Sequence, residues 1–329
     1  MKKRQVGAGG PMVGEIGLGA MSFAGTSGET DVAASHHTLD FALEMGVDFI
    51  DTALIYGPFV SETVIGEYFR KNPSARKRFT IATKGGIIPH PRGVDNGKKY
   101  LTECLDSSLQ RLGLDSVDLY YIHRRQFDLP IEVVMQTLLE FKQQGKIKAI
   151  GFSEISPASL MRASKIGHVA AVQSEYSLWC RLPELGMIQT CKKLGTAFVP
   201  FSPLARGTLT DVVIDVDRLQ PADFRRTLPR FQEPNYSFNM VETEKFKTYA
   251  NARGWNPASL ALAWVLHQAD HLIPIPGTRT AEHLGANVAG AEIKLSAQDL
   301  KEIEDILPVG FAHGNRYSEA AQASVEIYS

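Results

Sequence analysis

Cysteine is scarce in this sequence and has no pattern. Cys104, Cys180 and Cys191 form no CxxC pair and their number is odd, which fits a reducing compartment better than a disulfide framework. A charge of one sign is also missing. The 35 Lys and Arg against 36 Asp and Glu leave a formal net charge of -1, so there is no electrostatic case for nucleic acid or for an anionic membrane. No run of ~18 apolar residues occurs, and the basic start MKKR leads into no apolar segment. Neither a membrane span nor a signal peptide is therefore expected. Nine histidines show no ligand spacing with Cys or Asp, so no metal site is expected. Adjacent His36 and His37 cannot share a metal face as residues i and i+4 can, and both are expected to face solvent. The remainder, 44% hydrophobic and 22% charged, is ordinary for a globular protein, with a cytoplasmic location expected.

Short apolar runs alternate with amphipathic stretches along the chain. EIGLGAM, DFIDTA, FTIATKGG, VDLYYIH, IKAIGFS, VAAVQSEY, TAFVPFSPL and HLIPIPG read as eight strands. Between them lie helical patterns, such as KKYLTECLDSSLQRLG with Leu101, Leu105, Leu109 and Leu112 on one stripe. DVAASHHTLDFALEMG is headed by a capping Asp31, and NPASLALAWVLHQ has Pro257 in its first turn. The seven earlier strand tips recur every ~25–40 residues, the length a parallel crossover needs. Length alone suggests about two domains at ~150 residues each, but α/β barrels of ~250 residues or more occur as one. An open doubly wound sheet is the rival, yet no GxGxxG follows the first strand. The predicted architecture is α/β, one (β/α)8 TIM barrel over residues 1–329, with a lid-like loop from Ala205 to Met240 after strand seven.

In a barrel the C-terminal strand ends share one mouth. Asp51 ends the second strand, Lys84 the third and His123 the fourth, with Tyr56 just beyond Asp51. Each taken alone has a bland reading as a cap, a surface lysine, a packing ring or a structural histidine. At consecutive strand tips they converge, and a buried Asp51 needs a cation such as Lys84.

This arrangement resembles the aldo-keto reductase family. The matching pieces are DTALIYG, ATKGG, DLYYIHR, IGFSEIS, AVQSEYSLWCR, PFSPLARGTLT and IPIPGTRTAEHLGAN, in order from Glu15 to Leu307. The resemblance implies a catalytic tetrad of Asp51, Tyr56, Lys84 and His123. Tyr56 would give a proton to a carbonyl oxygen as hydride arrives from NADPH. A phenol has a pKa of ~10, and Lys84 is expected to bring it down. His123 would hold the same oxygen.

The resemblance further implies that Ser153 and Gln173 hold the nicotinamide carboxamide, with Phe201, or else Tyr176, against the ring. Ser202, Leu204, Arg206 and Gly207 would run along the pyrophosphate. Gly277, Thr278, Arg279 and His283 would take the 2'-phosphate, and Asn287 the adenine. Three positions depart from the family pattern: Glu154 for an Asn, His283 for a second Arg and Ala286 for a Glu. The strength of NADPH preference over NADH stays open on that account. Met21, Phe23, Leu54, Arg124 and Phe127 are the candidate substrate-pocket residues, and the C-terminal AHGNRYSE is placed over the mouth or the adenine end. The partner is a small-molecule carbonyl compound, and the default state is a monomer. Two rival functions share the fold: a cofactor-binding sensor subunit with little turnover, and a lyase using Lys84 as a Schiff base.

Overall fold

The computed structural model describes residues 1–25, 31–221, 223–278 and 280–328. Seven parallel strands form one sheet, each bonded to the next in chain order. They are β1 (Leu18–Gly19), β2 (Phe49–Asp51), β3 (Thr80–Gly85), β4 (Val117–Ile122), β5 (Ile147–Ser153), β6 (Ala171–Glu175) and β7 (Ala197–Phe201). Helices lie in the connections, and the ring is the (β/α)8 barrel expected from the sequence.

The eighth strand is a corrected expectation. Residues 271–277 close the ring as an extended segment, with isolated bridges from Leu272 to Phe198 and from Gly277 to Gly19. Ile273 and Ile275 donate their N–H groups to Phe198 and Pro200, while Gly17 and Gly19 donate theirs to Pro274 and Pro276. The prolines have no N–H to return, so the seam with β1 carries bonds in one direction only. It also runs very close. A Cβ on Gly19 would lie 2.7 Å from the carbonyl oxygen of Ile275.

Alternation along the strands separates two packed regions and places the site. Ile50, Ile81, Tyr120, Ile122, Phe152, Val172 and Phe198 point outward into a large core shared with the helices. Phe49, Ala82, Leu119, Tyr121, Ala171, Ala197, Val199, Ile273 and Ile275 fill the barrel interior. Two residues further along the same inward column come Asp51 after Phe49, Lys84 after Ala82, His123 after Tyr121 and Gln173 after Ala171. An N-terminal hairpin, Lys3–Gln5 paired antiparallel with Met12–Gly14, was not anticipated. Its flanking Val6 and its own Val13 join the interior cluster and plug the far end.

The stretch from Ala205 to Met240 is not one loop. It folds into 3-10 turns at Ala205–Gly207, Val216–Arg218, Phe224–Thr227 and Pro229–Phe231, and a helix, Asn235–Ala252, begins inside it. Exposed Phe238 and Val241 on that helix hide its apolar periodicity. His36 is also corrected. It is half-buried, with Nε2 3.0 Å from the carbonyl oxygen of Val64. Among the described residues no helix is long and apolar enough to cross a membrane.

Replacing Gly19 by Val should destabilise the fold by about 1–3 kcal/mol, because the close seam must part. Urea unfolding monitored by circular dichroism would show this as a lower midpoint with an unchanged slope.

Candidate active site

Lys84 is fully buried at the end of β3, inside the barrel. An ammonium has three hydrogens, and each finds an acceptor. Nζ donates to Asp51 Oδ1, to the carbonyl oxygen of Thr52 at 2.9 Å and to the Tyr56 hydroxyl at 3.0 Å. The other carboxylate oxygen of Asp51 accepts from Gln173 Nε2 at 2.8 Å, across the barrel from β6. Tyr56 stands edge-on to His123 with ring centroids 5.8 Å apart. The structure therefore brings the four predicted catalytic side chains together. Gln173 joins them as a partner of Asp51, a role the sequence did not reveal.

The electrostatics follow from burial. Burial raises the Asp51 carboxyl, against the pull of Lys84 and Gln173. Burial by itself would lower Lys84, but Asp51 and Tyr56 outweigh it and the ammonium is held above its ordinary value. The ion pair is the form that satisfies every donor on Nζ. The Tyr56 expectation is corrected. Burial pushes the phenol above its ordinary 10.0, and Lys84 offsets only part of this. Tyr56 is thus a filled proton store at neutral pH. Burial, with Arg124, Lys84 and Arg92, holds His123 well below its ordinary 6.5. It is a neutral imidazole, able to donate one ring N–H and to accept at the other nitrogen.

The residues expected to line a cofactor are spread around the mouth. Ser153 is buried and its hydroxyl accepts from Arg124 at 3.1 Å. Phe201 ends β7, half-buried, beside the interior cluster. Tyr176 is excluded as a platform, since it is fully buried against Phe198 and Trp264 on the helix side. After β7 the chain turns sharply, with left-handed φ at Ser202 (49°), Ala205 (49°), Arg206 (59°) and Gly207 (102°), and Leu204 half-buried among them. Clustered strain of this kind is typical of ligand clamps. The Arg206 side chain is bound to Glu175 at 2.9 Å and lies over the rings of Phe224 and Tyr317.

At the closing segment, Gly277 adjoins Gly19, and buried Thr278 accepts from Ser22 Oγ at 2.6 Å through its carbonyl oxygen. Arg279 lies outside the described residues. His283 is exposed at the start of the helix Ala281–Ala289, its N–H donated to Thr280 Oγ1 at 3.2 Å. Asn287 is 2% exposed, and its Nδ2 has no hydrogen-bond partner among the described residues. A buried amide left unpaired is costly, so an acceptor brought by a nucleotide fits this position.

Of the substrate-pocket candidates, Phe23 is corrected: at 1% exposed it packs in the helix-side core. Met21 is half-buried and Leu54 buried beside Tyr56. Phe127 is 52% exposed on the β4 loop. Arg124 is half-buried, its Nη1 2.6 Å from the carbonyl oxygen of His123.

A second ionic group at the mouth escaped sequence reasoning. Glu154, where the resemblance expects Asn, takes a left-handed φ of 57°, which Asn tolerates better than Glu. Its buried carboxylate accepts the Glu175 N–H at 2.9 Å and two bonds from Arg316. Glu175 binds Arg206 at 2.9 Å and Arg316 at 3.4 Å. Tyr317 lies under the guanidinium groups of Arg124, Arg206 and Arg316. Further along, Glu326 pairs with Arg125 at 3.1 Å and accepts the Ser156 N–H at 2.7 Å. The C-terminal segment is thereby tied to the ends of β4, β5, β6 and β7. The only sequence signal was the arginine and tyrosine in AHGNRYSE, and nothing there names their partners. A cavity of about 900 Å³ beside Tyr236, Met240 and Val241 contains none of these groups.

Residues 15–308 match the model of the Aldo/keto reductase family. Aldo-keto reductase yakc of Schizosaccharomyces pombe, named for NADP(+), is 36% identical over 324 residues, 96% of this chain and 95% of that protein. Probable aldo-keto reductase 1 of Glycine max is 35% identical over 319 residues, 95% and 91% of the two chains. Among solved structures, a glycerol dehydrogenase from Gluconobacter oxydans superposes with a TM-score of 0.83 at 25% identity, covering 97% of this chain and 98% of the other. An aldo/keto reductase from Klebsiella pneumoniae in complex with NADP and acetate gives 0.73 at 25% identity, covering 97% and 99%.

Burial raises the Glu154 carboxyl, but the charge and hydrogen bonds of Arg316, with Arg124 and the Glu175 N–H, together hold it below its ordinary value. A depressed carboxyl contributes stability that is present above its unfolded pKa and lost as pH falls through its folded one. Arg316→Leu strands that charge and should cost about 3–5 kcal/mol at pH 7. The loss should shrink toward about pH 5, where the stranded Glu154 can take a proton. Urea unfolding at both pH values, with Glu154→Gln/Arg316→Leu restoring part of the stability, checks this.

Proposed function

This chain belongs to the aldo/keto reductase family and is an NADP-dependent oxidoreductase; on that premise we propose that it reduces the carbonyl group of an aldehyde or ketone, with Tyr56 as the proton donor. The observation that carries the reading is the bond from Lys84 to the Tyr56 oxygen. The ammonium occupies a lone pair of the phenol, so the hydroxyl hydrogen is left to point at an acceptor in the mouth. Asp51 keeps Lys84 charged and in place, and Gln173 keeps Asp51 oriented.

NADPH, when bound, supplies the hydride that no side chain can give. The proton comes from Tyr56, and the carbonyl becomes an alcohol. As the oxygen gains negative charge, Lys84 stabilises the phenolate that forms, and neutral His123 donates its ring N–H to the same oxygen. Ser153 and the free end of Gln173 are the groups assigned to the carboxamide, and Phe201 to the ring face. The turn Ser202–Gly207 is assigned to the pyrophosphate and Asn287 to the adenine. Gly277, Thr278, Arg279 and exposed His283 are assigned to the 2'-phosphate. Met21, Leu54, Arg124 and Phe127 border the substrate. A single barrel domain, acting as a monomer in the cytoplasm, belongs to the same reading.

Tyr56→Phe should lower kcat for reduction of an aromatic aldehyde by roughly 100-fold or more, with NADPH affinity preserved. Spectrophotometric NADPH oxidation and fluorescence titration of the cofactor check the two halves. Tight NADPH binding with no turnover of aromatic, aliphatic or anionic aldehydes by the unaltered chain would overturn the reading in favour of a sensor. Because burial raises Tyr56 and lowers His123, kcat/KM for reduction should be level from about pH 6.5 to about pH 9. An acid limb near the ordinary histidine value would show that His123 titrates in the site.

A further inference from the structure

Charge at the mouth does not balance. Four guanidinium groups, Arg124, Arg206, Arg230 and Arg316, surround two buried carboxylates, Glu154 and Glu175. The surplus is shared by Arg124 and Arg230, and Arg230 donates to the carbonyl oxygens of Gly314 at 3.1 Å and Trp179 at 2.6 Å. Arg206 and Arg316 have carboxylates, as do the neighbouring Arg125 and Arg225, with Glu326 and Asp223. Arg124 has only neutral acceptors among the described residues: the carbonyl oxygen of His123 at 2.6 Å, Ser153 Oγ at 3.1 Å and the Tyr317 hydroxyl at 3.3 Å. These use both hydrogens of Nη1 and one of Nη2. Nε and the second hydrogen of Nη2 have no partner among the described residues.

A half-buried guanidinium is expensive to keep without a counter-charge. Its fork is suited to two parallel bonds from a carboxylate. Three contacts set its place, to the residue that bears the catalytic imidazole, to Ser153 and to Tyr317 of the C-terminal segment. Arg124 is therefore an oriented cation beside the tetrad.

We propose that Arg124, oriented by Tyr317, recognises a carboxylate on the substrate, and that this reductase acts on carbonyl compounds carrying a carboxylate group. The inference rests on the carbonyl-reductase reading and deepens it. A carboxylate matches the open edge of Arg124, its Nε and the second hydrogen of Nη2, as a two-oxygen acceptor.

The test uses the full-length chain, NADPH and two aldehydes of matched shape, 4-formylbenzoate and 4-formylbenzamide. The unaltered enzyme should show a kcat/KM for the carboxylate about 10- to 100-fold above that for the amide, the range of a charge-assisted bond. In Arg124→Met this ratio should fall to about one, whereas Arg124→Lys and Tyr317→Phe should retain part of it. If Arg124→Met does not fold, inhibition of the unaltered enzyme decides: benzoate should compete with 4-formylbenzamide at least about tenfold better than benzamide does. Equal or better turnover of the amide by the unaltered enzyme, or a ratio unmoved in Arg124→Met, overturns the inference alone. Turnover of neither aldehyde, with NADPH bound, overturns the carbonyl-reductase reading and the inference together.

Discussion

A buried ammonium with three acceptors is the constraint around which this molecule is arranged. Lys84 has no access to water, so its charge survives only because Asp51, the Thr52 carbonyl and the Tyr56 hydroxyl converge on one nitrogen. Removing a partner from such a pair leaves a bare charge in a low-dielectric interior. The barrel answers this need by rigidity. β2 and β3 are neighbours in the sheet, and their inward columns end in Asp51 and Lys84 over a floor of Phe49, Ala82, Leu119 and Tyr121. Gln173 reaches from the far side of the ring to fix the carboxylate.

The same burial sets the protonation states of the other two members. A phenol withdrawn from water holds its proton, and an imidazole among cations declines one. One group is therefore a filled acid and the other a neutral hydrogen-bonding group at the same pH. Lys84 contributes less by lowering the resting phenol than by orienting its hydroxyl and, in the proposed reaction, by stabilising the phenolate.

Around this centre the mouth carries a second electrostatic layer contributed by distant parts of the chain. Arg316 and Tyr317 come from the C-terminal segment, Arg206 from the strained turn after β7, and Glu154 and Glu175 from the ends of β5 and β6. Each carboxylate is too buried to stand alone, so the tail is bound as firmly as the charges demand. The left-handed backbone at Glu154 directs its carboxylate into this cluster. Tyr317 of this layer also bonds Arg124, whose other contacts are Ser153 and the backbone of His123.

Local regularity and local chemistry were legible in the sequence. The strands β2 to β7 follow apolar runs, Asp31 and Asn256 cap the helices they precede, and the proximity of Asp51, Tyr56, Lys84 and His123 could be foreseen because a barrel brings consecutive strand ends together. The eighth strand was overstated because two prolines preserve an apolar run while removing its donors. The helix Asn235–Ala252 was partly missed because Phe238 and Val241 are apolar yet exposed. The fall of Tyr56 was misjudged because a sequence shows that a lysine is near but not how dry the site is. Side-chain identity and the period-two alternation follow the chain itself, so the sequence alone determined the barrel and its acid, amine, phenol and imidazole. Which charges meet, and whether burial or a neighbour controls a proton, depends on distances between residues over a hundred positions apart, as with Gln173 on Asp51 and Arg316 on Glu154; only the tertiary structure decided those.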